Sequence, residues 1–173
     1  DSGIKNNYSL LFKNTNIKGK NSSQYENDLN HDLLTSFLME SSYPLKKEGI
    51  TFNNYFTPTI AYRFSPNNSK DIRNDDRRID INNIFSFNRL GRADTIENGQ
   101  SITLGGKYEK KDKKNNDFLS LNLATVFRDK INENLPIKSS IGRKTSDIVG
   151  NFNLVPNKYL NLKYNFSVDN NFD

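Results

Sequence analysis

Residues 158–169, KYLNLKYNFSVD, limit what this chain can become more than any other stretch. Leu160, Leu162, Tyr164, Phe166 and Val168 take one set of alternate positions, and Asn161, Lys163, Asn165, Ser167 and Asp169 take the other. Successive side chains of an extended strand point to opposite faces, so the segment has one apolar face and one polar face. A helix would scatter both classes around its axis. The segment is therefore a strand, and its apolar face suits either a soluble core or a lipid bilayer.

Composition bears on that choice. Only 34% of the 173 residues are hydrophobic, a level that in other chains goes with disorder, yet 12% are aromatic, including 12 Phe and 8 Tyr. Disordered segments are poor in aromatic and β-branched residues. A polar chain with its aromatics at alternating positions fits a transmembrane barrel, which has a polar bore, polar loops and an apolar outer belt. No run of about 18 apolar residues exists to form a spanning helix, but barrel strands need only about 9–11 residues each. The chain has no cysteine, so its residues form no disulfide or thiolate metal site. The net charge is +5, and most of the 25 Lys and Arg fall in connecting segments, where they read as solvated loop charge.

The same alternation recurs along the chain. Tyr8, Leu10 and Phe12 mark a strand at 7–13, followed by a polar connection at 14–22. Odd positions from Tyr25 to Tyr43 form a second apolar face, but Leu34 and Leu38 break its parity, so the stretch is either one long strand or two with a bulge. After a turn at 44–49, Phe52, Phe56, Ile60, Tyr62 and Phe64 share a face, with Pro58 expected at a bulge or a strand end. A charged loop at 65–77 leads to Ile79, Ile81, Phe85 and Phe87, which predict another strand. Further strands are predicted around 96–108, 119–128 and 148–154, before the closing one. This makes about eight strands spaced too widely for a soluble sandwich, whose turn signals recur every 8–12 residues or so. The predicted fold is all-β: antiparallel up-and-down transmembrane β-barrel strands. Because the chain starts at Asp1-Ser2-Gly3 and stops just after a strand, residues 1–173 read as a partial barrel domain from a longer chain.

Residues 84–106, IFSFNRLGRADTIENGQSITLGG, resemble the barrel domain of the LptD (OstA, Imp) lipopolysaccharide-assembly family of the Gram-negative outer membrane. Asn88, Arg89, Gly91, Asp94, Ile96, Glu97, Gly99 and Gly105 stand where that family carries a pattern like NRFSGLDRIE followed by a Gly-rich strand. Leu90 replaces the family's aromatic, Arg92 falls near its Gly, and Thr95 replaces its Arg. A second block is similar in order and spacing: VFR at 126–128, Leu135-Pro136, Ser140, Ser146-Asp147-Ile148-Val149-Gly150 and Pro156. YPL at 43–45 and FTPTIAY at 56–62 match proline-containing strands upstream. The resemblance covers most of the chain from about residue 24. It implies the middle of a larger barrel, with the periplasmic jellyroll, the lateral-exit strands and the family's cysteines outside this segment. It also implies lipopolysaccharide and outer-membrane lipid as contacts, a lipoprotein plug subunit and a periplasmic lipopolysaccharide bridge as partners, and no cofactor.

By parity, Arg63, Ser101, Thr103, Lys107, Asn122, Asn161, Lys163 and Asn165 would line a wet lumen, and Leu160, Leu162 and Phe166 would meet lipid. Hydroxyls, amides and a few cations suit a passing glycan. Arg89, Asp94 and Glu97 read first as a loop ion-pair cluster and second as contacts to a phosphate or sugar. Gly91 and Gly99 suit backbone conformations closed to other residues. His31 is the sole histidine, and no motif places a Ser or Asp to work with it, so a non-enzymatic transport role is expected. No metal-ligand spacing or phosphate-binding Gly loop is present. The aromatics form a packing face and do not interleave with Lys and Arg, which argues against nucleic acid. Two alternatives stay open from the residues: a small complete eight-stranded barrel of adhesin or porin-like type, and a soluble antiparallel β-domain binding sugar or protein.

Overall fold

A computed structural model describes residues 3–21 and 27–170. The chain forms one antiparallel sheet of β1 (Lys5–Ile17), β2 (Asn30–Ser42), β3 (Leu45–Glu48), β4 (Phe52–Ser65), β5 (Gly99–Asp112), β6 (Asp117–Arg128), β7 (Ile148–Asn157) and β8 (Leu160–Val168). The order is β1-β2-β4-β5-β6-β7-β8, with β3 paired to β4. This is an up-and-down meander, all-β as the alternation predicts. The sheet is not closed: among the described residues, β1 and β8 each pair with one neighbour only. The part of the expected second strand around Tyr25 lies outside the described residues.

The paired prolines explain why β2 and β3 are separate. Ser42 faces Thr59 and Leu45 faces Phe56, so both pieces share one register against β4. Between them Tyr43 and Pro44 lie opposite Pro58 and Thr57, where proline can donate nothing to the ladder. The Tyr43 N–H still donates to the Pro58 carbonyl at 3.1 Å, which holds the register through the break. Of the two readings of this stretch, the one long strand holds over its described part: β1 and β2 pair without a shift from Lys5–Ser42 to Ile17–Asn30. Leu34 and Leu38 are buried on the polar side of the sheet, at 4% and 8% exposure.

The strand expected at 79–87 does not form, and a folded connection takes its place. Asp80 Oδ1 accepts the backbone N–H groups of Asn82 and Asn83, at 2.7 and 3.0 Å, and Ile84 N donates to the Asp80 carbonyl at 3.0 Å. Such local side-chain bonds offer the backbone an alternative to a ladder. The turn drives Ile84 inward, where it joins Ile72, Ile79, Leu90, Ala124, Val126, Leu135, Ile141 and Val149 in the core. Connection 66–98 therefore folds back over the sheet, and connection 129–147 joins it: Ile72 N donates to Asn134 O at 2.8 Å, and Ile137 N to Arg73 O at 3.3 Å.

The two faces of the sheet differ throughout. One face carries Tyr8, Leu10, Phe12, Leu33, Phe56, Ile60, Phe64, Ile102, Leu104, Phe127, Leu160, Leu162 and Tyr164, all exposed. Leu160, at the start of β8, is 44% exposed and not tucked into an interior. At Gly150, on the same face, an added Cβ would lie 2.6 Å from Cζ of Phe166 and 2.5 Å from the Asn122 carbonyl oxygen. The aromatic ring thus lies across the strand where the side chain is missing. The long connections (18–29, 66–98 and 129–147) share one end of the sheet, and the short turns (49–51, 113–116 and 158–159) share the other.

Candidate functional site

The polar face has a covered region near the long connections and an open region toward the short turns. At the centre of the covered region sits Glu97, from the end of connection 66–98. Arg128 of β6 donates Nε to Glu97 Oε1 at 2.5 Å. Arg89 donates Nη1 to both Glu97 oxygens at 3.2 Å, and its Nη2 reaches Ser101 Oγ at 2.8 Å and Thr103 Oγ1 at 3.4 Å. Arg63 of β4 donates Nη1 to the Glu97 carbonyl at 2.7 Å and pairs its Nη2 with Oε1 at 3.4 Å. The side chains of Arg63, Arg89 and Glu97 are each 1% exposed.

Burial pushes the Glu97 carboxyl up, but the charges of Arg89, Arg63 and Arg128 outweigh it and hold it at about 2. Burial pushes the Arg89 guanidinium down to about 9, against the attraction of Glu97 and with repulsion from Arg63 and Arg128, so it stays charged at neutral pH. Not every donor is used: among the described residues, Arg63 Nε and Nη2, Arg89 Nε and Arg128 Nη2 are buried without a hydrogen-bond partner, held by charge and packing alone. The cluster contains no nucleophile. Chemically it is a lock between a connection and two wall strands.

The other expected site residues are distributed around this lock. Asp94 pairs with Arg92 at 2.9 Å, and Arg92 reaches Asp75 at 2.7 Å, a network separate from Arg89. Asn88 caps its own turn, Nδ2 to Arg92 O at 2.5 Å and Oδ1 accepting from Leu90 N at 3.1 Å. Gly91 and Gly99 have φ of 63° and 78°, the left-handed region that a side chain resists. Ser146 Oγ accepts from Val126 N at 2.9 Å, and Asp147 N donates to Ser140 Oγ at 2.9 Å, which ties connection 129–147 to β6. Arg63, Ser101 and Thr103 face the polar side as parity requires, but the connection covers them, at 1%, 3% and 1% exposure. Arg63 was expected to line the lumen, and Arg128 stood only as part of the VFR motif at 126–128. Their common signal was position: both lie near the long-connection end of their strands on the polar parity.

Lys107, Asn122, Asn161, Lys163 and Asn165 lie in the open region of the same face. There Asn122, Asn151 and Asn165 stand side by side across β6, β7 and β8. Asn122 Nδ2 donates to Asn151 Oδ1 at 2.6 Å. His31 is exposed on β2 and hydrogen-bonds Asn16, away from both regions. Among the described residues, no group of His, Cys, Asp and Glu is arranged to hold a metal ion.

The apolar face has a definite height. On β5 the outward positions between Gln100 and Lys110 are Ile102, Leu104, Gly106 and Tyr108. The ten residue steps from Gln100 to Lys110 span roughly 33 Å along the strand, and a tilt of about 40° reduces that to about 25 Å, the height of the apolar band of an outer-membrane barrel. Tyrosines bond to amides at both borders: Tyr108 to Asn54 Oδ1 at 2.7 Å, and Tyr62 to Gln100 Oε1 at 3.1 Å. An amphipathic ring with its hydroxyl in polar company is what the bilayer interface favours.

No curated protein matches the chain significantly. A family model described as LptD, LPS transport system D, matches residues 6–171, nearly the whole chain and both blocks of motifs described above. With its open, outward-greasy sheet and its covered polar face, the chain belongs to the LptD family, whose role is lipopolysaccharide transport to the outer membrane.

Proposed function

We propose that this chain is a stretch of the wall of the outer-membrane translocon that inserts lipopolysaccharide into the outer leaflet. The exposed apolar face meets lipid tails, and the polar face borders a hydrated bore along which the glycan moves. The single observation that supports this most is the band of exposed leucine, isoleucine and phenylalanine on one face only. Backbone groups in hydrocarbon must all be paired, so the free edges of β1 and β8 require further strands, supplied by the rest of a larger barrel. Long loops of such barrels face outward and short turns face the periplasm, which directs 66–98 and 129–147 to the cell exterior. The role is transport without catalysis, and it needs partners at the periplasmic side: a lipoprotein plug and a lipopolysaccharide bridge.

A photo-crosslinking residue at Asn165 tests this reading in growing cells. Capture of lipopolysaccharide that stops when its supply is halted is the expected result. Absence of capture at Asn165, Asn122 and Lys107 alike, or capture indifferent to supply, would contradict it.

A further inference from the structure

Connection 66–98 does more than cover the sheet. Its apex overhangs β5, β6 and β7 and leaves a recess of about 280 Å³. Ile81 and Phe85 form the roof, and Lys107, Asn122 and Asn151 form the floor. The tip of the Phe85 ring rests on Gly105, where a Cβ would lie only 2.7 Å from its Cζ. The glycine therefore sets the depth at which the ring stands. We propose that this recess is a saccharide subsite that selects an uncharged, hydroxyl-rich segment of the transported glycan. The proposal rests on the reading that this face borders the bore.

The chemistry of the recess carries the choice of ligand. Asn122 and Asn151 use one donor and one acceptor on each other. Among the described residues, the side-chain atoms Asn122 Oδ1 and Asn151 Nδ2 have no protein partner. They offer acceptor and donor side by side, as the vicinal hydroxyls of a sugar require. Phe85 and Ile81 supply an apolar wall for the C–H face of the ring.

A phosphate would need net positive charge here, and the recess has little. Lys107 pairs with Glu109 at 3.1 Å, while Lys111 bridges Glu109 at 3.5 Å and Asp117 at 3.2 Å. Cation and carboxylate thus alternate and cancel from Lys107 through Glu109 and Lys111 of β5 to Asp117 of β6. The volume lies at the small end of ligand pockets, enough for a short saccharide stretch. Asn165, in register beside Asn151, continues the amide track onto β8.

Saturation-transfer NMR on the whole protein in detergent, with a neutral hexose oligosaccharide and its phosphorylated counterpart as probes, tests the assignment. Transfer to the neutral sugar is expected. It should weaken at least about tenfold in Asn122→Ala/Asn151→Ala and in Phe85→Leu, each checked for folding by heat-modifiable gel mobility. Asn122→Asp keeps the shape and should weaken binding as well, which preserves the test if the double variant fails to fold. No transfer, transfer unchanged by these variants, or phosphorylated sugar bound tenfold more tightly would each overturn the subsite. Labelling of Asn165→Cys by a charged thiol reagent, in a background without other reactive thiols, separates the two readings. Labelling without sugar binding removes the subsite alone, whereas loss of both removes the bore as well.

Discussion

Arg128 and Glu97 meet at 2.5 Å although they lie 31 residues apart, and their contact fastens connection 66–98 to β6. Arg63 and Arg89 complete the junction, so one carboxylate balances a wall strand on each side of β5 and the connection itself. Removing one partner of a buried pair leaves charge without compensation, which costs about 3–5 kcal/mol. Glu97→Gln is therefore expected to lower stability by about that amount in urea titrations of the vesicle-inserted protein. An effect near zero would show that the connection is held by its apolar core alone.

The same carboxylate makes stability depend on pH. Its folded value of about 2 lies below the ordinary 4.5, so its contribution is fully present above about pH 4.5 and is lost as pH falls toward 2. The wild-type protein should lose stability over that window, and Glu97→Gln should have a flatter profile there. Denaturation midpoints measured from pH 7 down to 2.5 check the slope.

Gly150 predicts a compensating pair. An added methyl would meet Phe166 at 2.6 Å and Leu123 at 2.9 Å, and the backbone at Asn122 at 2.5 Å. Overpacking of this kind typically costs about 1–3 kcal/mol. Gly150→Ala should destabilise by that order, and Phe166→Ala in the same chain should recover part of the loss but not the share due to the Asn122 carbonyl. A double-mutant cycle measures the recovered part.

The strands could be read from sequence because lipid imposes one rule along their whole length. Leu160, Leu162 and Tyr164 repeat at two-residue spacing, and no tertiary contact overrides them. Leu34 and Leu38 broke the parity because both are buried on the polar side, where apolar residues also have a place. The run Ile79 to Phe87 misled for the converse reason. Its alternation is real, but Asp80 captures the two following amides and turns the chain. The adjacent apolar pair Ile84-Phe85 was the available warning, since a half-buried strand would place one of them in water or in the bore. The Glu97 junction was not legible as a unit. The Arg89–Glu97 pair inside the connection was expected, but Arg63 and Arg128 come from β4 and β6, and only the register of the sheet brings those two to it.

Which face meets hydrocarbon decides the role of every strand, and charge placement tests it. Arginine or lysine near the midplane of a lipid-facing barrel surface costs about 2–4 kcal/mol, whereas bore positions tolerate it. Leu104→Arg should therefore impair insertion into vesicles, and Asn165→Lys should leave it nearly unchanged.

Spin-label accessibility is the most direct measurement. Nitroxides at Leu104 and Leu162 should collide with dissolved oxygen and be shielded from a water-soluble nickel chelate, and labels at Lys163 and Asn165 should show the reverse. Nickel reaching Leu104 and Leu162 as readily as Asn165, in the membrane-inserted protein, would contradict the account.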